Sequence, residues 1–507
     1  MTKDIRTLAA LLIASATLAA CSGDDDSILN DQTADTHDGQ TVYTMTIQAT
    51  KGGTDATQTR GLALSGKTLN VKWNEGETVE VMMADNAISG TYTSIGTLTA
   101  AASETGQTTL TGTVSGLTEG KALRFFLRGH SMDYTGQKGV LLNSDDAVNS
   151  IEAKYDYAAT DAVTSYTVSG TTVNVAGGIT LTSQQAVVKF TLKDLSGNAI
   201  NATSLTIKEN TGANGFICQS RDATITGGAT TVLGSLTVTP AAATSTVYAA
   251  IYDFHNATSS TSSYTLEATD ADGNTYAYTK EGILFASGQY YEVSVKMREF
   301  VDLGLSVKWA TMNVGAASEN DRGNYFAWGE TTGYAYDSGH DFSQANYSLY
   351  DSGSTTLTKY TLVGSAFDYT TLQTADDAAA QSWGGTCRMP TKAEWEELIA
   401  NCTAEWQTEG TPGVKFTSTK SGYTTKSIFL PGTGYYNGTS NSSTNIYACY
   451  WSSSLYADNQ GTDIEPLYAP TYAWYLDVLY NSGSIYRNQV LNQYRYYGMA
   501  VRPVLGN

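Results

Sequence analysis

Apolar side chains recur at every second position along most of this chain, and that period confines it to β-structure. In "VYTMTIQA", Tyr43, Met45, Ile47 and Ala49 share one face. In "LNVKWNEGETVEVMM", Leu69, Val71 and Trp73 alternate up to a turn at Asn74–Gly76, and Val79 and Val81 alternate after it. A pleated strand sends successive side chains to opposite faces, so each run predicts a half-buried strand between turns. "AVVKFTLKD", "SLTIKE", "STVYAAIYDF" and "YTLEATDADGNTYAYT" carry the pattern onward. Within the last, Asp270, Asp272 and Asn274 have a spacing reminiscent of calcium ligands, but an EF-hand loop needs further ligands, a Glu at its end and flanking helices. Asp272-Gly273 between two alternating runs predicts a hairpin turn instead.

One stretch breaks the pattern: "CRMPTKAEWEELIANC", Cys387 to Cys402. Thr391 followed by Glu394 forms a capping box, in which the hydroxyl accepts one unpaired helix N–H and the carboxylate reaches back to another. Pro390 and Trp395 stand where a hydrophobic staple places its two residues. Trp395, Leu398, Ile399 and Cys402 follow the spacing of a single apolar helix face, which must pack on a sheet. Glu394 is taken by the cap, and Glu396 and Glu397 lie off the apolar stripe. The helix therefore reads as architecture: Thr391 and Glu394 as cap, Trp395 as core.

The start of the chain reads as an export signal. Lys3 and Arg6 precede a 13-residue apolar run, Leu8 to Ala20, too short to span a bilayer. It ends in "LAAC", which resembles the bacterial lipobox and implies acylation of Cys21; the plain alternative is a secretory signal with an incidental cysteine. "SGDDD" after it resembles the acidic surface-export tag of Bacteroidetes lipoproteins, or simply opens a solvated tether. The expected location is the outer membrane and cell surface. A net charge of −20 on 507 residues argues against a nucleic-acid partner, which needs a basic footprint.

Composition shifts near Phe300. Seven of eight Trp, six of seven Pro and 21 of 34 Tyr follow residue 300. Before it, "TRGLAL", "VKWNEGETVEVM", "KYDYAA", "LTSQQAVVKFTL" and "FASGQYYEVSVKM" resemble, in order and spacing, the fimbrillin (Mfa-like) family of Bacteroidetes surface proteins over residues 40–298. After it, "FVDLGLSVKWATMNVGA", "GNYFAWGET", "WGGTCRMPTKAEWEELI", "IFLPGTGYYNG", "YWSSS" and "YYGMAVRPV" resemble the Fibrobacter succinogenes major paralogous domain, related to C-type-lectin-like and formylglycine-generating-enzyme-like folds. Cys387 stands where that family often carries an aromatic residue.

The resemblance implies a mainly β fold. A signal peptide (1–20) and a tether (21–40) precede two Greek-key, transthyretin-like β-sandwich domains (41–166 and 167–298). An α+β C-type-lectin-like domain follows (299–507), with one well-defined helix near 391–402. It further implies a fimbrial tip adhesin whose partners are other pilin subunits, joined by donor-strand addition, and a host or bacterial glycan or protein ligand. The lipid on Cys21 would hold it to the outer membrane before any processing. Arg60-Gly61 matches the site where such pilins are trimmed, which would free the strand Tyr43 to Ala49; otherwise Arg60 is a surface-loop arginine. Family stalk subunits donate a C-terminal strand. Here a whole domain occupies that end and only Leu505–Asn507 follow "VRPV", so the expectation is a subunit that accepts a strand and donates none.

The motifs give no route to catalysis. No nucleophile elbow, H-E-x-x-H or P-loop is present. The copper-holding cysteine pair of the formylglycine relatives and the Glu-Pro-Asn and Trp-Asn-Asp calcium-sugar motifs are missing too, so the expectation is no enzyme, no cofactor and no metal, with a non-polymerising glycan-binding protein and a glycan-active enzyme as the alternatives. Cys387 and Cys402 flank a helix of about 11 residues, about 16 Å long, whereas a disulfide needs Cα atoms within about 7 Å. Cys402 with Cys449, or free buried thiols, remain open. What is left is a contact surface: Tyr, Asn, Ser and Gly in loops between Tyr435 and Tyr475 supply broad area and adaptable hydrogen bonds. Tyr435, Tyr436 and Tyr468, near turns, are the candidate ligand contacts.

Overall fold

The computed structural model describes residues 36–37, 40–52, 63–65, 68–70, 72–85, 91–210, 217–222, 230–253, 261–353, 356–361, 369–457 and 471–506. It is mainly β, with several sheets and few short helices. Cys21, Arg60, Gly61 and Tyr468 lie outside the described residues.

The first unit is organised around strand Gln40–Lys51, whose Met45, Ile47 and Ala49 point into the core as the period of two requires. One edge pairs antiparallel with Gln107–Ser115, from Val42↔Ser115 to Thr50↔Gln107. The other pairs parallel with Thr172–Val175 and then with Ile179–Ser183. Through strands 92–100, 78–84, 123–127 and 158–159 the sheet returns to 179–183 and closes on itself, where two separate stacked sheets were expected. Glycine permits the tight curvature: a Cβ on Gly96 would strike the carbonyl of Thr113, and one on Gly112 that of Thr97. The expected boundary at 166 falls inside this sheet, which runs on to Ser183.

Lys51 pins the end of the central strand. Its buried ammonium sits 2.5 Å from Glu77, 4.2 Å from the Trp73 ring centre and 3.1 Å from the carbonyl of Lys72. Strand 123–127 is buried on both faces. Leu123, Phe125 and Leu127 fill the closed sheet, while Phe126 joins a second core with Val188, Ile207, Leu266 and Val295.

That second unit is built on strand Tyr290–Val301. Its first part runs parallel to Ala186–Asp194, and its last part turns to pair with Thr275–Ala277. Strands 235–238, 202–209, 262–270 and 275–283 complete the sheet. Between the last two lies the expected hairpin turn. Asp270 Oδ1 accepts from the N–H groups of Asp272 and Asn274, and a cation from outside the turn, the Lys426 ammonium, donates to Asp272 O (2.6 Å) and Asn274 Oδ1 (2.9 Å).

The last unit has a six-stranded sheet in the order 334–335, 324–326, 499–500, 447–455, 472–481, 484–494, and a three-stranded sheet of 402–407, 413–418 and 427–431. Among the described residues two α-helices accompany them, α1 (Ala378–Trp383) and α2 (Lys392–Asn401). Helix α2 is the expected one, begun by Thr391 with the complete capping box. Helix α1 was not expected. Asp377 caps it by accepting from the N–H groups of Ala379 and Ala380, a short Asp-Ala-Ala-Ala signal without the length of a periodic face.

Candidate ligand-contact surface

Helix α2 packs as its sequence dictates. Trp395 and Leu398 are fully buried, with Val414, Phe416, Tyr450 and Leu476 in the same core. Each glutamate is occupied. Glu394 accepts from Thr391 N–H (2.7 Å) and from both Arg388 terminal nitrogens (2.8 and 2.5 Å). Burial alone would raise its carboxyl, but the hydrogen bonds from Arg388 and Thr391 hold it below the usual range. Glu397 accepts from the N–H and hydroxyl of Ser306, and Glu396 lies 3.5 Å from Lys392. This end of the domain is closed architecture. The last domain's one histidine in the sequence, His340, lies elsewhere, stacked flat on Tyr334 at 3.5 Å.

Cys387, Cys402 and Cys449 are all buried free thiols. Burial pushes the Cys387 thiol up to about 12 and Cys402 to about 11; Cys449 is raised too, by burial and by nearby Asp477. Thiolates are therefore scarce at neutral pH.

Indole and guanidinium groups seal the interior. Trp328 donates to Ser452 O (2.8 Å), Trp451 to Phe326 O (2.8 Å) and Trp395 to Trp451 O (3.3 Å). Arg502 of the "VRPV" motif is fully buried and donates to Asn313 Oδ1, Ala310 O and Phe429 O, tying three segments together.

The adjacent tyrosines of the predicted pair diverge. Tyr436 is a core residue: its ring meets Tyr325 at 4.8 Å and Phe342 at 5.5 Å, and its hydroxyl accepts from Asp337 N–H. It is thereby corrected from a ligand contact to a packing residue, because its short strand, Tyr436–Asn437, turns the ring inward against Tyr325 and Phe342. Tyr435 is half-buried and belongs to a continuous tyrosine surface.

Tyr435 stacks on Tyr497 at 5.6 Å and meets Tyr447 edge-on at 6.4 Å. Tyr497 contacts Tyr494 and Tyr496, which stack on each other at 5.2 Å. Tyr494 stacks in turn on Tyr472, its cross-strand partner, at 4.4 Å. The surface thus draws its six rings from four places in the chain, and of these only Tyr435 was among the expected contacts. The tyrosines of "NQYRYYGMA" were the available signal, but only pairing of strands 472–481 and 484–494 brings Tyr472 beside them. Burial raises the phenol groups of Tyr472, Tyr496 and Tyr497, so these rings stay neutral at physiological pH. The nearby cation, Arg487, lies over Tyr447 at 6.0 Å and is held 2.6 Å from Asp477. The surface presents rings and hydroxyls ordered in advance, suited to stacking and hydrogen bonding rather than to bond-making.

No protein-family model matches the chain, and no curated protein matches it. Solved structures give weak likenesses. A proposed cell adhesion protein from Bacteroides uniformis shares 12% identity over 50% of this chain and 94% of its own, with a TM-score of 0.28. One from Bacteroides ovatus shares 15% over 50% and 94%, with a TM-score of 0.27. A fimbrial protein from Bacteroides ovatus shares 11% over 92% and 99%, with a TM-score of 0.20. These values are too low to transfer a role, and the functional reading stands on this chain's own residues.

Proposed function

We propose that this chain is a surface adhesin of the pilus type, held at the outer membrane by a lipid on Cys21 until cleavage at Arg60 releases it. Its last domain holds a ligand on the tyrosine surface, and its first unit accepts a strand from a neighbouring subunit and donates none. The observation that carries the reading is the seat of Val504–Gly506. This strand lies between Val307–Trp309 and Cys387–Arg388, with Val504 and Leu505 buried. Donating it would pull the middle strand out of its own sheet and expose the core around Trp309. Strand Gln40–Lys51, by contrast, lies upstream of Arg60, so cleavage there would separate it from the rest of the chain and leave a groove for a replacement. In this reading the chain sits at a filament tip and contacts a glycan or protein without transforming it.

The starting residue of the chain recovered from the cell surface tests this reading. A mass beginning at Gly61 is expected; a chain still starting at acylated Cys21 would defeat the strand-accepting half.

One observation favours a second reading, a lipid-anchored glycan-binding protein that does not polymerise. Strand Gln40–Lys51 is hydrogen-bonded along both edges within its own unit and pinned by Lys51, a seat with no vacancy for an incoming strand. The same mass measurement separates the two.

A further inference from the structure

The last domain begins without a linker. Strand Tyr290–Val301 belongs to the second unit through eight parallel register pairs with Val187–Asp194 and through Thr275–Ala277. Its final residues Phe300 and Val301 pair directly with Ala310 and Trp309 of the last domain. The sheet then continues through Val504–Gly506 to Cys387–Arg388. One hydrogen-bonded sheet therefore runs from Ser235–Val238 in the second unit to the interior of the last. The short connection after the strand is itself held in, with Leu303 and Leu305 buried.

Side chains close the same junction from three sides. Phe300 meets Trp383 of α1 edge-on at 5.9 Å, and the Arg298 guanidinium lies 4.8 Å from the Trp383 ring centre. Ala277 of the second unit is buried in the same core as Phe300, Trp383 and Leu505. Gly384 and Gly385, which end α1, approach so closely that a Cβ on Gly385 would collide with the hydroxyls of Thr265 and Thr279. On the far side, Lys426 donates to the 270–274 turn. Domains joined by an exposed linker and a small polar contact swing relative to one another. Here the connecting segment is a strand with partners on both sides, and the apolar core is shared.

We infer that strand Tyr290–Val301 is a splice that makes the second unit and the last domain one rigid, cooperatively unfolding body. A pull on a molecule held by the last domain reaches the second unit through many hydrogen bonds loaded together, rather than through a hinge. The splice also fixes the direction in which the tyrosine surface faces relative to the second unit.

The test uses the full chain. Seven of eight tryptophans lie after residue 300, so tryptophan emission reports the last domain. Ile207 is fully buried in strand Ala202–Glu209, three strands from the splice along the sheet. Ile207→Val and Ile207→Ala are compared with the parent by thermal unfolding, with hydrogen exchange of peptides from 202–209 and 262–270 followed in the same samples. The tryptophan midpoint is expected to fall in step with loss of protection in those strands, further for Ala than for Val. A tryptophan midpoint that stays at the parent value while those strands open would overturn the splice. Should Ile207→Ala leave the second unit unfolded from the outset, native tryptophan emission would overturn it equally, and its loss would support it.

Discussion

Trp309 and Trp395 meet with ring centres 4.6 Å apart, one from the first strand of the last domain and the other from helix α2. Both are fully buried, and Trp395 also contacts Tyr450 at 6.1 Å. The contact joins the start of the domain to its helix, so it reports the domain's integrity. Trp395→Ala is expected to cost about 3–5 kcal/mol, and Trp395→Phe less, by chemical denaturation of the full chain. A loss under about 1 kcal/mol for the alanine variant would remove Trp395 from the core.

Thr391 contributes through its cap alone. Its hydroxyl accepts from Glu394 N–H at 3.3 Å. Thr391→Ala is expected to cost about 1 kcal/mol, and Thr391→Ser to recover most of it. Equal losses for Ala and Ser would point to packing rather than capping.

Glu394 supplies a pH signature. Its folded carboxyl lies below the ordinary 4.5, so the stability it contributes is present above that value and is lost as pH falls through the folded one. The stability gap between the parent and Glu394→Gln should therefore be widest near neutrality and shrink under acid. Midpoints measured from about pH 7 to about pH 3 check this. A gap that widens in acid would contradict the sign.

How much of this was legible beforehand follows from the range of each interaction. The helix start was readable because Thr391, Glu394 and Trp395 act within one turn. The strand containing Met45, Ile47 and Ala49 was readable because its period is local. Closure of the first sheet was not, because Ala49 pairs with Ile179, far away in sequence, and nothing near either residue names the other. The splice was hidden for the same reason: the composition shift at Phe300 marked a boundary, but Phe300↔Ala310 pairing makes it a seam within one sheet. The turn signals around Tyr435 and Tyr436 likewise place both near a loop without saying which of them faces the core.

The thiols should be inert in the native protein. With Cys387, Cys402 and Cys449 buried and their ionisation raised, a maleimide is expected to leave their peptides unlabelled in the folded chain and to label all three after unreduced denaturation. A pair still unlabelled after denaturation would reveal a disulfide.

The tyrosine surface should act as a unit. Tyr494→Ala or Tyr496→Ala is expected to weaken capture of the full chain's ligand, found on a glycan and matrix-protein array, by about tenfold or more, equivalent to about 1.4 kcal/mol. Tyr486→Ala, at a ring 70% exposed and outside the contacts described above, should leave capture unchanged. Equal effects at Tyr486 and Tyr494 would move the contact elsewhere.

The most direct measurement of the central claim is the oligomeric state of the purified chain after cleavage at Arg60 by an arginine-specific protease, first alone and then with a stalk pilin added. The account predicts that the cut protein remains monomeric on its own, because Val504–Gly506 stays clamped between its neighbours, yet takes up the C-terminal strand of a stalk pilin as a stable complex. A ladder of self-assembled polymers from this chain alone would show that it donates a strand, and would contradict the account.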